Sequence, residues 1–428
     1  MPQSRRTFLK ATAAGIGFWT APQGAPAADN SPAEKLNLAF VGVANRARGN
    51  IEGCAGQNVV ALCDVDERYL ARAATEFPRA RAYNDWRKLL EQKDIDAVVI
   101  STADHTHAGP TLAAMQLGKH VYCEKPLTHN VREARLVSQM AGCMKVATQM
   151  GTQIHATENY RRVVELLRSG VIGSVQRIHV WVPTVWSGGG ERPAATQPAP
   201  PEHLHWDLWL GPAPHRPYHP AYHPFGWRGW WDFGGGALAD MACHHMDLSH
   251  WAFDLRHPLS VEAEGPQVHP DSCPRWLIVH YRYPGTKSHP PIHLTWYSGD
   301  KRPAELADLG KHKFGAGSLF IGDKGMLLAD YDRRVLLPEE QFKDFKAPEP
   351  TIPNSIGHHQ EWIKACKEGG PTTCNFDYAG ALTETVLLGN VAYRSGRKLQ
   401  WDAGKMTIPN APQAERYLTR EYRKGWEL

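Results

Sequence analysis

Residues 36–47 read LNLAFVGVANRA, and this stretch decides the fold. A continuous apolar run leads into a turn that carries Gly42, Ala44 and Ala47. A buried strand, a glycine turn and a helix in that order place backbone N–H groups against the pyrophosphate of a dinucleotide, in the pattern G-x-G-x-x-G/A. Alanine replaces the middle glycine here, and we expect its methyl group to crowd the pyrophosphate slightly.

Strand-like and helix-like segments alternate from this point to about residue 152. Further apolar runs occupy 58–65, 96–102, 120–126 and 144–153, and amphipathic stretches at 67–77, 85–92 and 108–118 separate them. Fully apolar strands that alternate with helices predict a parallel sheet covered on both faces. We therefore predict an α/β nucleotide-binding domain over residues 34–152.

The second half of the chain has a different composition and a different pattern of apolar residues. A helical pattern at 159–170 is followed by a stretch rich in Pro, Gly, His and Trp over 183–236, which we interpret as a long ordered loop region. Alternating β-like runs then continue to residue 338, and two helical patterns follow at 358–369 and 378–396. This pattern predicts a second α/β domain over residues 153–428, with a large, mostly antiparallel sheet.

Composition narrows the class of protein. The chain has 428 residues, 21% of them charged and 10% aromatic, which is typical of a folded globular protein. The formal net charge is +4, and residues 1–27 hold three cations and no acid, which leaves 4 − 3 = +1. This balance gives no reason to expect a nucleic acid partner. Eight cysteines without a CxxC pair disfavour a zinc ribbon and a disulfide framework.

The N-terminus has the layout of a twin-arginine export signal. Arg5 and Arg6 precede Phe8 and Leu9, an apolar stretch follows, and small residues end at Ala27. The apolar stretch covers roughly a dozen residues, too few to span a membrane. We expect cleavage after residue 27 and a periplasmic or other extracytoplasmic location. The alternative is a chance arginine pair on a disordered tail.

Asp64 lies 22 residues after Gly42, at the end of the second apolar run. A carboxylate at this position hydrogen-bonds the ribose 2′-hydroxyl and repels a 2′-phosphate, so NAD is favoured over NADP. Arg46 leaves NADP open, because an arginine near the ribose can accept a 2′-phosphate. The alternative is an ordinary turn with a solvated aspartate.

Polar clusters follow two later strands of the predicted sheet. In an open parallel sheet the ligand lies beyond the carboxyl ends of the strands, so both clusters are expected near the nicotinamide. Pro126 favours an extended Lys125, and the bond between them is a candidate for cis. The residues that we expect to line the cofactor are Gly42, Ala44, Asn45, Arg46, Asp64, Thr102, His105, His107, Glu124, Lys125 and Gln153.

A third polar cluster follows the glycines Gly234–Gly236. Asp240, His244 and Asp247 are spaced by four and three, which predicts one face of a helix. A histidine, a lysine and a carboxylate are what alcohol oxidation requires, because one group takes the hydroxyl proton and a cation stabilises the alkoxide. The alternatives are a structural histidine and a metal site, for which no further ligand is obvious.

Together these motifs resemble the Gfo/Idh/MocA oxidoreductases. The resemblance covers nearly all of the chain after residue 27, and rests on the first turn, Asp64, Glu124-Lys125-Pro126 and the GGGALADMACHH segment. It implies a Rossmann domain, a C-terminal domain with an open sheet commonly used for oligomerisation, and sugar or polyol substrates. It also implies Lys125 at the substrate hydroxyl, Asp240 beside it, and His244 as the general base.

Residues before the predicted catalytic helix also favour a carbohydrate. Flat rings stack on sugar C–H faces, and eight aromatic or basic residues crowd this segment: Trp186, His203, His205, Trp206, Trp227, Arg228, Trp230 and Trp231. For any single tryptophan, packing of the loop is the alternative. The candidate substrate contacts are Lys125, Trp186, Trp227, Arg228, Asp240, His244 and His245, although His245 is also a candidate structural residue.

Export makes a tightly held cofactor necessary, because free nicotinamide cofactor is scarce outside the cytoplasm. We expect a sugar oxidoreductase that folds around NAD and regenerates it in place, and the resemblance implies a homo-oligomer. A glycosidase that oxidises a sugar transiently and reduces it again is one alternative, although an intact Lys125 favours the dehydrogenase. A non-catalytic sugar-binding protein is the other.

Overall fold

The computed structural model describes residues 35–193, 199–309 and 312–428. The predicted export signal at 1–27 lies outside these residues. Within the described part of the chain, no helix is both long enough and apolar enough to cross a membrane.

A six-stranded parallel sheet forms the N-terminal half, in the order β3-β2-β1-β4-β5-β6. The predicted nucleotide-binding architecture is therefore confirmed. The strand β3 has three residues at the sheet edge and was not predicted, since so short a run carries no periodicity. The strands are β1 (Asn37–Val41), β2 (Asn58–Cys63), β3 (Arg81–Tyr83), β4 (Ala97–Ile100), β5 (His120–Glu124) and β6 (Thr148–Gly151).

Helices connect these strands and cover the sheet. They are α1 (Arg46–Gly53), α2 (Glu67–Glu76), α3 (Trp86–Leu89), α4 (Ala108–Gln116), α5 (Val131–Cys143) and α6 (Glu158–Arg168). The unpredicted α5 begins with a capping box, in which Asn130 and Glu133 each satisfy a backbone N–H of the other. Its start fixes the loop that follows Lys125.

An eight-stranded sheet forms the second half, in the order β13-β12-β11-β7-β10-β9-β8-β14. It is antiparallel except where β7 and β10 run parallel, so the prediction of a mostly antiparallel sheet is confirmed. The strands are β7 (Arg177–Trp181), β8 (Ser260–Glu264), β9 (Leu277–Tyr283), β10 (Ile292–Ser298), β11 (Gly317–Ile321), β12 (Met326–Ala329), β13 (Arg334–Leu337) and β14 (Leu399–Gln400).

Five further helices join the two sheets into one body. Trp362, fully buried on α10, packs against the core of the N-terminal sheet. The long helix α11 packs along α5, α8 and β8. These helices are α7 (Trp206–Leu210), α8 (Gly236–His245), α9 (Asp247–Phe253), α10 (His358–Glu368) and α11 (Phe376–Ser395).

Candidate active site

The turn after β1 can be made only by glycine. Gly42 has φ +85°, and its N–H donates to Cys63 O at 2.8 Å. A Cβ at this position would lie 2.6 Å from Ser101 O, a backbone atom of the neighbouring strand end. Any side chain here would therefore be both strained and blocked.

The first turn of α1 is open toward the cleft at the carboxyl edge of the sheet. Asn45, at φ +53°, precedes the helix, and its side chain makes no cap hydrogen bond. Gly42, Ala44, Asn45 and Arg46 all line this cleft. A helix N-terminus with uncapped N–H groups is suited to a pyrophosphate, so the turn fits the cofactor predicted for it.

Asp64 lines the same cleft from the end of β2. Its two carboxylate oxygens accept the N–H groups of Val43 and Asp66, each at 3.0 Å. Burial raises the pKa of Asp64 to about 6, against the effect of these hydrogen bonds. The carboxylate is thus fixed beside the first turn, where the ribose of a bound dinucleotide would lie.

Arg46 points away from Asp64. Its Nε donates to Glu124 Oε1 at 3.1 Å, at the end of β5, while Asp64 follows β2 on the other side of β1. Asn50 and Gln153 donate to the same Glu124 oxygen at 2.9 and 2.8 Å. Glu124 is therefore a buried shared acceptor that holds Arg46 and Gln153 near the sheet edge, and it does not form an ion pair with Lys125.

Of the three residues predicted to contact the cofactor after β4, Thr102 lines the cleft, together with the unpredicted Ser101 and Thr106. The prediction for His105 is wrong, since its buried ring packs between Trp209 and Phe233 and its Nε2 lies 2.9 Å from Trp209 O. The prediction for His107 is also wrong. Its ring nitrogens lie 2.8 Å from Pro126 O and 3.1 Å from Thr102 O, so it ties the two strand ends together.

Lys125 and Asp240 form the centre of the site. Lys125 Nζ donates to Asp240 Oδ1 at 2.7 Å and to Asp240 O at 2.6 Å, and the Lys125–Pro126 bond is cis. Trp186 Nε1 donates to Asp240 Oδ2 at 2.7 Å, and Arg228 Nε lies 3.3 Å from Oδ1. Burial opposes ionisation of Asp240, but Lys125 and Arg228 outweigh it and lower its pKa to about 2.

His244 lies one helical turn after Asp240 on α8. Its ring is half-buried, its Nδ1 is buried, and neither ring nitrogen has a hydrogen-bond partner among residues 35–193, 199–309 and 312–428. Burial, and after it the charge of Lys125, hold the pKa of His244 well below its usual range. A neutral imidazole with free nitrogens beside a cation is able to accept a proton.

Asp247 does not share the face of Asp240 and His244, because α8 ends at His245 and a new helix begins. Its fully buried carboxylate lies 2.9 Å from His155 Nδ1 and accepts the Tyr378 hydroxyl at 2.7 Å. Cys374 lies close by, and these three donors, His155, Asp247 and Cys374, form the one group of metal-ligand type within the described residues. The carboxylate is already satisfied by protein donors.

The prediction that His245 contacts substrate is wrong. Its ring is buried, stacks on Tyr331 with centroids 4.6 Å apart, and has Nε2 2.6 Å from the Tyr331 hydroxyl. Adjacent positions on a helix point in different directions, so His244 and His245 cannot serve the same site.

Most of the tryptophans before α8 are core residues. Trp206, Trp230 and Trp231 are no more than 8% exposed, and each donates its indole N–H to a backbone carbonyl. For these three tryptophans, packing of the loop is therefore the correct alternative. Trp186 and Trp227 differ, since both rings lie against the Arg228 guanidinium, at 5.3 and 4.2 Å.

Asp104 is a site residue that sequence reasoning missed. It begins the short turn after β4, is 4% exposed, and lies within electrostatic range of Arg228, Asp240 and Lys125. Burial raises its pKa to about 8, so it is largely protonated at neutral pH. Nothing in the sequence distinguishes Asp104 as a site residue from its neighbours His105 and His107.

The cleft has a roof built from outside the N-terminal sheet. Residues 203–228, here called the strap, bind the β2–α2 loop through Glu67 N to His203 O at 2.8 Å and His205 N to Val65 O at 2.9 Å. Residues 420–428, the tail, join it: Arg423 donates to Gly211 O at 2.9 Å, and Trp426 lies 4.2 Å from the Arg87 guanidinium. Strap and tail residues line the cleft together, namely Leu208, Trp209, His223, Pro224, Phe225, Trp227, Arg228 and Trp426.

Comparison with known proteins agrees with this architecture. The oxidoreductase family model for the NAD-binding Rossmann fold matches residues 16–152, and the model for the C-terminal alpha/beta domain matches residues 159–289. Among solved structures, the WlbA dehydrogenase from Bordetella pertussis in complex with NADH and UDP-GlcNAcA has a TM-score of 0.62 at 16% identity, over 86% of this chain and 98% of that one. A levoglucosan dehydrogenase complex with NADH and levoglucosan has a TM-score of 0.56 at 17% identity, over 86% and 99%.

Curated relatives match over shorter segments. Inositol 2-dehydrogenase 2 of Saccharopolyspora erythraea is 32% identical over 149 residues, which is 34% of this chain and 44% of the relative. Levoglucosan dehydrogenase of Pseudarthrobacter phenanthrenivorans is 23% identical over 190 residues, 44% of this chain and 41% of the relative. The chain thus spans less than half the length of these relatives. With both domain models matched in order, the chain belongs to the Gfo/Idh/MocA family of oxidoreductases, with an NAD-binding Rossmann domain.

Proposed function

We propose that the protein transfers hydride between NAD and a hydroxyl-bearing carbon of a sugar or polyol. One observation carries this proposal: the Lys125 ammonium group is fixed 2.7 Å from Asp240 Oδ1, and the imidazole of His244, which has no hydrogen bond to any described residue, lies one turn further along the same helix. A positioned cation and a neutral base at the edge of a nucleotide-binding sheet are the groups that alcohol oxidation needs.

The roles of the side chains follow from their charges. Bound NAD supplies the hydride acceptor. His244 takes the hydroxyl proton, because its pKa is held well below its usual range and the ring is neutral at neutral pH. Lys125 stabilises the developing alkoxide, and Asp240 holds the ammonium group in place. Burial of this group of side chains strengthens each charge interaction relative to water.

The surroundings of the pair support a polyhydroxy substrate. Arg228 and Trp186 contact Asp240 and place a guanidinium and an indole ring beside Lys125. Such groups suit a ring that presents hydroxyls on its edge and C–H bonds on its face. The similar inositol and levoglucosan dehydrogenases are named for ring-shaped polyols and sugars, which makes these compounds the first substrates to test.

NAD is the proposed nucleotide. The Asp64 carboxylate stands beside the first turn, and the Arg46 guanidinium is held by Glu124 on the opposite side of β1. A 2′-phosphate beside Asp64 would thus meet a negative charge without the compensating arginine.

We also propose that NAD is tightly held. The strap and the tail close over the cleft and contribute Trp209, Trp227 and Trp426 to its walls. Release of a dinucleotide then requires these contacts to open. Tight retention suits the proposed export by the twin-arginine route, since a folded protein would carry its cofactor with it and recycle it in the periplasm.

Self-association is proposed through the outer face of the eight-stranded sheet, where the resemblance places an oligomer interface. His280, His293 and Tyr297 lie half-buried on neighbouring strands there. Light scattering of the purified protein tests this, and a monomer at all concentrations contradicts it.

The proposed activity is tested with purified protein and a panel of polyols, sugars and aryl glycosides. Accumulation of reduced nicotinamide, seen by its absorbance, with at least one polyol or sugar is the expected result. Release of the aryl group without net reduction would instead identify a glycosidase. Binding of a sugar without any turnover would identify a non-catalytic binding protein.

A further inference from the structure

We propose that the protein binds a phosphate or sulfate group in a second pocket, here called the arginine pocket, formed by Arg394, Arg416 and Arg420. The pocket is separate from the dinucleotide cleft and shares no lining residue with it. Its remaining walls include His129 and Asn390. Three guanidinium groups that converge on one cavity match the oxygens of such an anion.

Arg394 is the first reason for this proposal. Its side chain is half-buried, and its guanidinium lies 4.9 Å from the ring of Trp231 and 4.5 Å from that of Tyr417. Among residues 35–193, 199–309 and 312–428 it has neither a hydrogen bond nor an ion pair. Burial lowers the pKa of Arg394, as expected for a cation without a counter-charge. Its aromatic neighbours hold the guanidinium in place but leave its N–H donors unused.

Arg416 and Arg420 add two more cations. Arg416 lies 4.7 Å from the same Tyr417 ring, and the Tyr417 hydroxyl is its only hydrogen-bond partner in the described part of the chain. Arg420 lies 3.1 Å from His129 Nδ1 and donates to Asp232 O at 3.2 Å, while its Nε is buried without a partner. Arg394 and Arg416 lie against the same Tyr417 ring, and burial, and after it the charge of Arg416, lower the pKa of Arg394. An anion between such like charges would relieve their repulsion.

The acids near the pocket offset its three positive charges only in part: Glu133 and Asp232 attract Arg420, and Asp232 attracts Arg394, but each of these acids has other partners. Asp232 Oδ2 already accepts Arg216 Nε at 2.5 Å. Glu133 accepts the Tyr422 hydroxyl and two backbone N–H groups at the start of α5. Glu421, which lines the pocket, is exposed to solvent. The pocket therefore keeps a positive charge that favours a doubly charged anion over a neutral ligand.

The arginine pocket lies behind two catalytic elements. His129, four residues after Lys125, has Nε2 3.4 Å from Gly234 O, and Asn390 Nδ2 donates to Gly235 O at 2.9 Å. Gly234 and Gly235 lead into α8, which carries Asp240 and His244. An anion bound here would hold the loop after Lys125 and the start of α8 together, and would stabilise the folded protein by linkage.

The test is calorimetric titration of NAD-saturated protein with inorganic phosphate, with inorganic sulfate and with a sugar phosphate. Saturation with NAD fills the pyrophosphate site and removes it as a competing explanation. The variants are Arg394→Gln and Arg416→Gln, and the control is Arg72→Gln, an exposed arginine on α2. Thermal unfolding without added anion checks that each variant is folded.

We expect saturable binding to the wild type and to the Arg72→Gln control, and at least about tenfold weaker binding to each pocket variant, because each loses a charge-assisted contact. Tighter binding of the sugar phosphate, lost in the same variants, would identify a phosphate ester as the ligand. No saturable binding by any of the three anions, or equal affinity in wild type and Arg394→Gln, would overturn the proposal.

Discussion

Lys125 Nζ lies 2.7 Å from Asp240 Oδ1, although the two residues are 115 positions apart. A second hydrogen bond joins the ammonium group to Asp240 O at 2.6 Å. A lysine ammonium has three N–H donors, so one is left for a substrate oxygen. The pairing therefore fixes the cation and still leaves it able to act on a ligand.

Replacing Lys125 with methionine tests this use of the cation. Lys125→Met keeps an unbranched side chain that is one atom shorter and removes its charge, so we expect kcat to fall by about 10²–10⁴-fold, because the alkoxide loses its stabilising partner. NAD content, measured by mass spectrometry after denaturation, should not change. Lys145→Met, at an exposed lysine, is the control. Wild-type turnover in Lys125→Met would exclude the lysine from the chemistry.

His244→Gln should lower kcat by about 10²–10⁴-fold with little change in KM, since a base acts only in the transition state. The pKa of His244 lies well below its usual range, so the wild-type ring stays neutral and kcat should not fall through its protonation between about pH 8 and 6. His215→Gln, at an exposed histidine, is the control. If kcat of the wild type falls at acidic pH with a midpoint near the ordinary histidine pKa, and this fall is absent in His244→Gln, then the pKa of His244 is not lowered.

Asp64 should set both nucleotide preference and its pH dependence. We expect Asp64→Ser to reduce the preference for NAD over NADP by at least about tenfold, because the charge facing a 2′-phosphate is gone. In the wild type the pKa of Asp64 is raised to about 6, so NAD affinity should weaken as the pH falls through 6 and the carboxylate is protonated. Equilibrium titrations of wild type, Asp64→Asn and the exposed-site control Asp94→Asn measure both effects. Unchanged preference in Asp64→Ser would contradict the assignment.

Asp104 should make stability depend on pH. The pKa of Asp104 is raised to about 8 in the folded protein, whereas the pKa of an unfolded aspartate is about 4. The contribution of Asp104 to the free energy of unfolding is therefore fully present below about pH 4 and is lost as the pH rises through 8. The slope for one group is at most about 1.4 kcal/mol per pH unit. Asp104→Asn mimics the protonated acid, and urea unfolding should show the variant gaining stability relative to wild type between pH 5 and 8. A pH-independent difference would mean that Asp104 is ionised in the folded state.

Trp426 should control how long the cofactor stays bound. Trp426→Ala removes a wall of the cleft and the Arg87 contact at 4.2 Å, so we expect roughly tenfold faster loss of NAD on dialysis. The control is Trp276→Ala, which removes the ring beside Lys301 and does not line the cleft. Equal retention of NAD in Trp426→Ala and wild type would show that the tail does not hold the nucleotide.

Sequence patterns predicted both sheets, and they predicted the two parts of the reaction site, Lys125 after β5 and the pair Asp240 and His244 on α8. The strands β1, β4 and β5 are buried on both faces almost throughout, and β2 is buried over its second half, so their sequences are apolar runs that can be recognised without a structure. The edge strand β3 and the strand β7 were missed, because neither RAY nor RIHVW forms a long periodic run.

The histidines show where sequence reasoning stops. His105, His107, His244 and His245 all lie next to predicted catalytic segments, yet within the described residues only His244 of these four lacks a hydrogen bond at both ring nitrogens. The other three histidines form hydrogen bonds with Trp209, Pro126 and Tyr331. These partners are remote from the histidines in sequence or are positioned by turn geometry, so the sequence pattern does not reveal them. The contribution of Trp426 to the roof of the cleft could not be predicted either, because the sequence of a polar tail does not indicate which surface the tail contacts.

Single-turnover isotope transfer tests the central claim most directly. Protein carrying bound NAD is mixed with the best substrate of the panel, deuterated at the reacting carbon, and the cofactor is released by acid and weighed by mass spectrometry. Hydride transfer predicts one deuterium in the reduced cofactor of the wild type, and the same label appearing about 10²–10⁴-fold more slowly in Lys125→Met. Product formation with an unlabelled cofactor would contradict the claim that these residues oxidise a sugar hydroxyl with NAD.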